Sequence, residues 1–163
     1  EYLQQGGLDK VMNDVNRLLY QDTAISGNFV TLFYLEFDPI QRKLRWIRAG
    51  HDPAIIYTPE NGEFSELKGK GIALGVAPEW NFECNEITLG KETQLVLLGT
   101  DGVWEAENGS GEQFGKERVK QVFAGHNDLR PAAIVQAVID EITLFRGRTS
   151  QPDDITLAII KVG

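Results

Sequence analysis

The chain has 163 residues, of which 42% are hydrophobic and 25% are charged, with a net charge of −8 at pH 7. This length and composition predict one compact domain, residues 1–163, and argue against intrinsic disorder, collagen and a coiled coil. The negative charge repels phosphate backbones and anionic lipids, so nucleic acids and membranes are poor candidate partners.

The cysteine content and the hydropathy pattern indicate the cellular compartment. The single cysteine, Cys84, has no partner within the chain for a disulfide. No apolar run is long enough to cross a bilayer, and residues 1–5 do not form the start of a secretory signal. We therefore expect a cytoplasmic protein, with Cys84 as a half-buried strand residue.

The first half of the chain predicts one helix followed by several strands. Apolar residues recur at helical spacing over residues 8–19, as in an amphipathic helix. Residues 29–37 are apolar on both faces and rich in β-branched and aromatic types, as in a covered strand. Residues 43–48, 54–58 and 63–67 follow as short strands separated by turn residues, which predicts an antiparallel meander.

The second half predicts further strands and two helices. An apolar strand over residues 94–99 leads directly into Thr100-Asp101-Gly102, and another strand is expected around residues 82–89. A weak helix over residues 115–123 and a strong one over 131–145 precede a last strand, residues 155–162. Because strands and helices do not alternate regularly, the order predicts an α+β fold with antiparallel sheets.

Acidic residues stand at the ends of two of these strands. Asp101 follows the strand at residues 94–99, whereas Asp153 and Asp154 precede the last strand. If the two strands pair antiparallel, these carboxylates lie at one edge of the sheet, where they would suit Mg²⁺ or Mn²⁺. The alternative is purely structural, because Asp-Gly is a common turn and an Asp after Pro often caps the next element.

His51 lies in a predicted sharp bend, the segment AGHDP. At such a position a histidine can face a cleft or can simply form a hydrogen bond with a carbonyl group of the loop. The pattern leaves both possibilities open.

Several motifs together resemble a known family. The segments AGHDPAIIY, GIALGV, LVLLGTDGVWEAEN and QPDDITLAIIKV have the order and spacing of the motifs of the SpoIIE/RsbU branch of the PPM-type metal-dependent protein serine/threonine phosphatases. The resemblance extends from about Gly7 to the end of the chain. It implies an α-β-β-α sandwich of two antiparallel sheets with a binuclear Mn²⁺ or Mg²⁺ centre, and hydrolysis by a metal-activated water.

The resemblance also assigns roles to individual residues. By motif, Asp101 and Asp153 would be catalytic metal ligands, and Asp154 would orient the loop around the metal. Gly102 would let the backbone pass close to the metal, and His51 would lie near the cleft. The implied substrate is a phosphorylated STAS-type anti-sigma-factor antagonist or another phosphoserine or phosphothreonine protein, and the implied attached module is a sensory or receiver domain.

Two further motifs of the family are missing from the chain. A GGDYYD-like strand and a DVSGHG-like turn, which supply other metal ligands in the family, do not occur in these residues. We therefore expect the C-terminal part of a phosphatase domain, without its N-terminal strands and with an incomplete metal site. Uncovered sheet edges would then favour a homodimer. The alternative function is a non-catalytic binding module that holds a regulatory partner without turnover.

Overall fold

The computed structural model describes residues 7–150 and 153–163. In this part of the chain the helices and strands are α1 (Leu8–Thr23), β1 (Leu32–Asp38), β2 (Lys43–Ala49), β3 (Ala54–Thr58), β4 (Glu63–Leu67), β5 (Asn85–Thr88), β6 (Gln94–Gly99), a short 3-10 helix (Asp101–Val103), α2 (Gly115–Gly125), α3 (Pro131–Arg146) and β7 (Leu157–Val162). None of the helices described has the length and apolarity that crossing a bilayer requires.

The chain forms two compact units, each built from separate stretches of sequence. The first unit comprises the described residues up to Pro53 together with Leu67–Gly90. The second comprises Ala54–Glu66 and Lys91–Gly163. The chain therefore passes from one unit to the other after Pro53, after Glu66 and after Gly90.

The first unit contains a three-stranded antiparallel sheet with the order β1-β2-β5. Met12 of α1 packs against Ile47 and Ala49 of β2 in a small apolar core. The central strand β2 provides the most buried positions, because it has a neighbour on each side.

Strand β1 corrects the prediction of a covered strand over residues 29–37. Every residue of β1 is half-exposed, because the strand lies at the edge of its sheet and pairs with β2 alone. Phe29 precedes the strand and is 61% exposed. Apolar composition predicted the strand itself correctly but overestimated its burial.

Cys84 also departs from its predicted environment. The residue is exposed and lies just before β5, which begins at Asn85. The prediction of a half-buried strand residue is wrong, because β5 is a short edge strand that starts one residue later.

Helix α1 is amphipathic, but its buried face differs from the predicted one. Val15 and Leu18 are 43% and 63% exposed, whereas Asn16 is fully buried. The Asn16 side chain donates from Nδ2 to the Ala77 carbonyl at 2.8 Å, and its Oδ1 accepts from the Gly75 amide at 2.9 Å. The helix thus holds the glycine-containing loop by a polar contact in which both ends of the amide are satisfied.

The second unit contains a four-stranded sheet with the order β4-β3-β6-β7. α2 packs against α3 and α3 against β7. The core of the unit includes Leu95 and Leu97 of β6, Val119 and Phe123 of α2, and Ile134, Val138 and Ile142 of α3. Both predicted helices and the apolar strand at residues 94–99 are confirmed, because each presents a regular apolar face to this core.

The predicted meander of residues 43–67 is wrong, although its three strands exist. β2 belongs to the first sheet, whereas β3 and β4 belong to the second. Of these three strands, only β3 and β4 form a hairpin with each other; its turn has Gly62 at φ 72° and a hydrogen bond of 2.9 Å from the Gly62 amide to the Thr58 carbonyl. Short strands separated by turns do not reveal which of them change sheets.

Candidate metal centre

Asp101 lies at the point where β6 ends and the chain turns. It begins the 3-10 helix Asp101–Val103, and its carbonyl accepts from the amides of Trp104 and Glu105 at 3.0 and 2.8 Å. Val103 and Trp104 are buried in the core of the second unit, at 0% and 7% exposure. The buried residues anchor the turn, and the Asp101 side chain is left exposed.

Asp153 and Asp154 lie just before β7, and both are exposed. Asp153 Oδ1 accepts from the Asp154 amide at 2.7 Å. Asp101 Oδ1 accepts in the same way from the Gly102 amide at 3.0 Å. In both aspartates one carboxylate oxygen thus accepts from the amide of the next residue, which fixes the orientation of the exposed side chain.

Strand pairing brings these two segments together. β6 and β7 pair antiparallel, with Gly99 opposite Leu157 as the last pair of the ladder, which confirms the predicted pairing. Gly102 is buried against the other segment: a Cβ on Gly102 would overlap the Asp154 carbonyl oxygen and lie 3.5 Å from the Asp153 oxygen. The structure therefore places Asp101, Gly102, Asp153 and Asp154 at one edge of one sheet.

His51 lies in the first unit, in the loop that leaves β2. Gly50 has φ 71°, which permits the sharp bend. Arg48 Nε donates to the His51 carbonyl, and Arg48 Nη1 donates to the Gly69 carbonyl at 3.1 Å. His51 Nδ1 lies 3.0 Å from the Asp52 carbonyl oxygen and donates to it, since a carbonyl oxygen can only accept. The structure shows the bond to a loop carbonyl; a role of His51 in the cleft stays a prediction.

Sequence reasoning missed Arg48, which attaches the His51 loop to the segment around Gly69. The available signal was a charged residue within β2, two positions before Gly50. A charged side chain in a strand that is largely buried usually has specific hydrogen-bond partners.

The carboxylate oxygens at this sheet edge are of the chemical type that binds hard divalent cations. Carboxylate oxygens are the ligands that Mg²⁺ and Mn²⁺ prefer, and Mg²⁺ commonly keeps several waters. Among residues 7–150 and 153–163, no group of three or more His, Cys, Asp or Glu side chains could hold a metal ion. The two carboxylates therefore do not form a complete metal site by themselves within the described residues.

Comparisons with known proteins identify the family and the fold of the chain. A family model described as Stage II sporulation protein E (SpoIIE) matches residues 1–163. The chain belongs to the SpoIIE family. Among curated proteins, it is 25% identical over 154 residues to phosphoserine phosphatase RsbU of Bacillus subtilis (strain 168). That match covers 93% of this chain but 44% of RsbU, so the chain spans less than half the length of this relative.

Solved structures show the same fold at low identity. The SiaA-PP2C domain of Pseudomonas aeruginosa has a TM-score of 0.71 at 19% identity, covering 97% of this chain and 72% of that chain. The Mn-presoaked phosphatase domain of the cell fate determinant SpoIIE from Bacillus subtilis has a TM-score of 0.66 at 18% identity, covering 98% of this chain and 69% of that chain. The α+β fold with two antiparallel sheets is confirmed as that of the PP2C phosphatase domains.

Proposed function

We propose that residues 1–163 are the C-terminal part of a metal-dependent protein serine/threonine phosphatase domain. The observation that carries the proposal is the contact between the Asp101–Gly102 turn and the Asp153–Asp154 loop at one sheet edge. Membership of the SpoIIE family and the similarity to a phosphoserine phosphatase support it. The proposed substrate is a phosphorylated STAS-type anti-sigma-factor antagonist or a similar phosphoprotein in the cytoplasm.

The residues at this sheet edge have different roles in binding a cation. Asp101 and Asp153 bind it through their exposed carboxylates, and the backbone amides of Gly102 and Asp154 fix the orientation of those carboxylates. Gly102 has no side chain and so permits close approach of the two segments. Bound Mn²⁺ or Mg²⁺ supplies Lewis acidity and an activated water for attack on phosphorus.

Charge supports a cation at this position. The two carboxylates and the neighbouring Asp154 stand on adjacent segments of a chain with a net charge of −8. Each carboxylate is negatively charged, and a divalent cation that they bind would offset part of that charge. The same cation would neutralise part of the charge of an incoming phosphate, which the acidic surface would otherwise repel.

The test is phosphate release from p-nitrophenyl phosphate and from a phosphoserine STAS protein, with and without Mn²⁺. The 163-residue chain is assayed beside a chain that includes any natural sequence preceding Glu1. We expect the longer chain to hydrolyse these substrates in the presence of Mn²⁺. EDTA should abolish this hydrolysis, and the Asp101→Asn variant should not show it. Hydrolysis that persists in EDTA, or in Asp101→Asn, would contradict the proposal.

A second candidate function is a binding module that holds a phosphorylated regulatory partner without turnover. It is favoured by the lack of a group of three or more metal-binding side chains in the described residues. Binding of the phosphoserine STAS protein by both chains, with no phosphate release from either in Mn²⁺, would support this alternative over the enzyme.

A further inference from the structure

The Thr100 side chain connects the two segments that carry the carboxylates. Its hydroxyl Oγ1 donates to the Asp154 carbonyl at 3.2 Å and accepts from the Thr156 amide at 3.0 Å. The Thr100 backbone amide also donates to the Thr156 carbonyl at 3.0 Å. Thr100 thus uses both its side chain and its backbone to hold the segment before β7.

These bonds lie beyond the regular ladder of the sheet. The pairing of β6 with β7 ends at Gly99 and Leu157, so residues 153–156 are outside it. Beyond that pair, the Thr100 backbone amide donates to the Thr156 carbonyl. The Thr100 hydroxyl donates to the Asp154 carbonyl, two residues further along the same segment. Thr100 therefore attaches the segment at residues 153–156 to the end of β6 by hydrogen bonds, in addition to the packing of Ile155 against the core.

Thr100 lies next to one of the two aspartates and contacts the neighbour of the other. Thr100 directly precedes Asp101, and the carbonyl that it contacts belongs to Asp154, the neighbour of Asp153. The same Asp154 carbonyl oxygen lies so close to Gly102 that it would overlap a Cβ at that position. One hydroxyl group therefore connects the backbone beside one carboxylate to the backbone beside the other.

We propose that Thr100 is a positioning residue that sets the separation and orientation of the Asp101 and Asp153 carboxylates, and thereby the affinity of this edge for a divalent cation. The cation part rests on the proposed function, whereas the attachment of residues 153–156 does not. Removal of an outer-shell hydrogen bond at a metal site typically weakens metal binding about 10- to 100-fold. Thr100 touches neither ion nor substrate in this assignment and acts through the two segments.

Two variants of Thr100 and one control distinguish the effect of the hydroxyl group from the effect of the shape of the side chain. Thr100→Val keeps the branched shape and removes the hydroxyl, whereas Thr100→Ser keeps the hydroxyl. Thr58→Val is the matched control, because Thr58 ends strand β3 in the same unit and its side chain forms no hydrogen bond within the described residues. Each chain is measured for amide hydrogen exchange at residues 153–156, for its Mn²⁺ dissociation constant by electron paramagnetic resonance, and for its melting temperature.

In Thr100→Val we expect exchange at residues 153–156 to accelerate about tenfold or more and the Mn²⁺ dissociation constant to rise by about tenfold. Thr100→Ser should stay within about threefold of the wild type in both measurements, and Thr58→Val should match the wild type. A purely structural role of the threonine would lower the melting temperature without changing the Mn²⁺ dissociation constant.

Wild-type exchange and Mn²⁺ affinity in Thr100→Val would overturn the proposal, as would a serine variant that behaves like valine. If the wild type binds no Mn²⁺ either as the 163-residue chain or with any natural sequence preceding Glu1, the metal assignment of the proposed function and the cation part of this inference are overturned. In that case the exchange measurement still decides whether Thr100 holds the segment. The two failures are therefore distinguishable.

Discussion

The Asp154 carbonyl group occupies the space that a side chain on Gly102 would need. A Cβ at Gly102 would overlap the Asp154 oxygen and lie 3.1 Å from its carbonyl carbon. We therefore expect Gly102→Ala to push the two segments apart, to lower the free energy of unfolding by about 1–3 kcal/mol and to weaken Mn²⁺ binding. Urea unfolding and an Mn²⁺ titration measure the two effects.

Gly109→Ala is the control for this substitution. Gly109 lies in a separate turn, closed by the hydrogen bond from the Gly111 amide to the Asn108 carbonyl, and a Cβ there would meet only Thr149 Oγ1 at 3.9 Å, which is ordinary van der Waals contact. The free energy of unfolding of the Gly109→Ala variant should stay within about 0.5 kcal/mol of the wild-type value. Equal stability and Mn²⁺ affinity in both glycine variants would show that the contact at Gly102 relaxes without consequence.

Asp101→Asn and Asp153→Asn should remove Mn²⁺-dependent phosphatase activity while leaving the fold intact. The amide keeps the size of the side chain but has no negative charge for the cation, and it relieves repulsion between the neighbouring acids. Glu105→Gln is the matched control, because Glu105 is an exposed acid that follows the same turn. Phosphate release and circular dichroism report the two properties, and full activity in either aspartate variant would exclude the proposed ligand.

Asn16→Leu should destabilise the chain, although it replaces a polar residue in a core by an apolar one. Asn16 is fully buried, and its loss leaves the Gly75 amide without its acceptor, whereas the Ala77 carbonyl still accepts from the Trp80 amide. Each buried group left unpaired costs about 1–3 kcal/mol. Urea unfolding measures the loss; Asn81→Leu, at an exposed position, should change the free energy by less than about 0.5 kcal/mol. A leucine variant as stable as the wild type would contradict this expectation.

Glu112 is expected to contribute stability that depends on pH. Hydrogen bonds from Arg118 and then Asn108, together with the charge of Arg118, lower the pKa of Glu112 from its ordinary value of 4.5. Because the folded pKa is the lower one, the contribution is present above the unfolded pKa and is lost as pH falls through the folded pKa. The stability difference between wild type and Glu112→Gln should therefore shrink below about pH 4.5. A difference that grows in acid would contradict the sign.

Cys84 should react slowly with iodoacetamide even though the residue is exposed. Partial burial of the thiol raises its pKa, and nearby carboxylates, including Asp9, raise it further, whereas Arg45 lowers it. Since the thiolate is the reactive form, alkylation at pH 8 should be slower than in an unstructured peptide. Arg45→Gln should slow it more, while Arg17→Gln, which removes a cation paired with Asp14, should not change it. Faster alkylation in Arg45→Gln would refute the assigned influence of this charge.

Sequence patterns predicted the elements whose apolar faces meet a regular core. Helix α3 and strand β6 are examples, because their buried residues recur at the helical and extended periods. Burial of β1 was overestimated because composition does not reveal which strand lies at a sheet edge. The polar contact of Asn16 with a loop about 60 residues away likewise has no local signal.

At the candidate site, the aspartates could be found from the sequence but their attachments could not. Asp101 and Asp153 are conspicuous because acids at strand ends suggest a shared edge. Thr100 is inconspicuous, since a threonine at the end of a strand is common and its bond to Asp154 depends on the pairing register. The adjacency of Gly102 to Asp154 depends on the same register.

The discontinuous composition of the two units has a consequence for how the chain folds. Strand β3 pairs with β6, with Ile55 opposite Leu97, so β3 leaves the ribosome well before its central partner exists. The first unit is likewise incomplete until Gly90 has been made. Contacts between distant segments require closure of long loops and slow the folding reaction. During synthesis the apolar strand β3, which is buried in the folded chain, would stay exposed until β6 has been made, and exposed apolar strands favour aggregation.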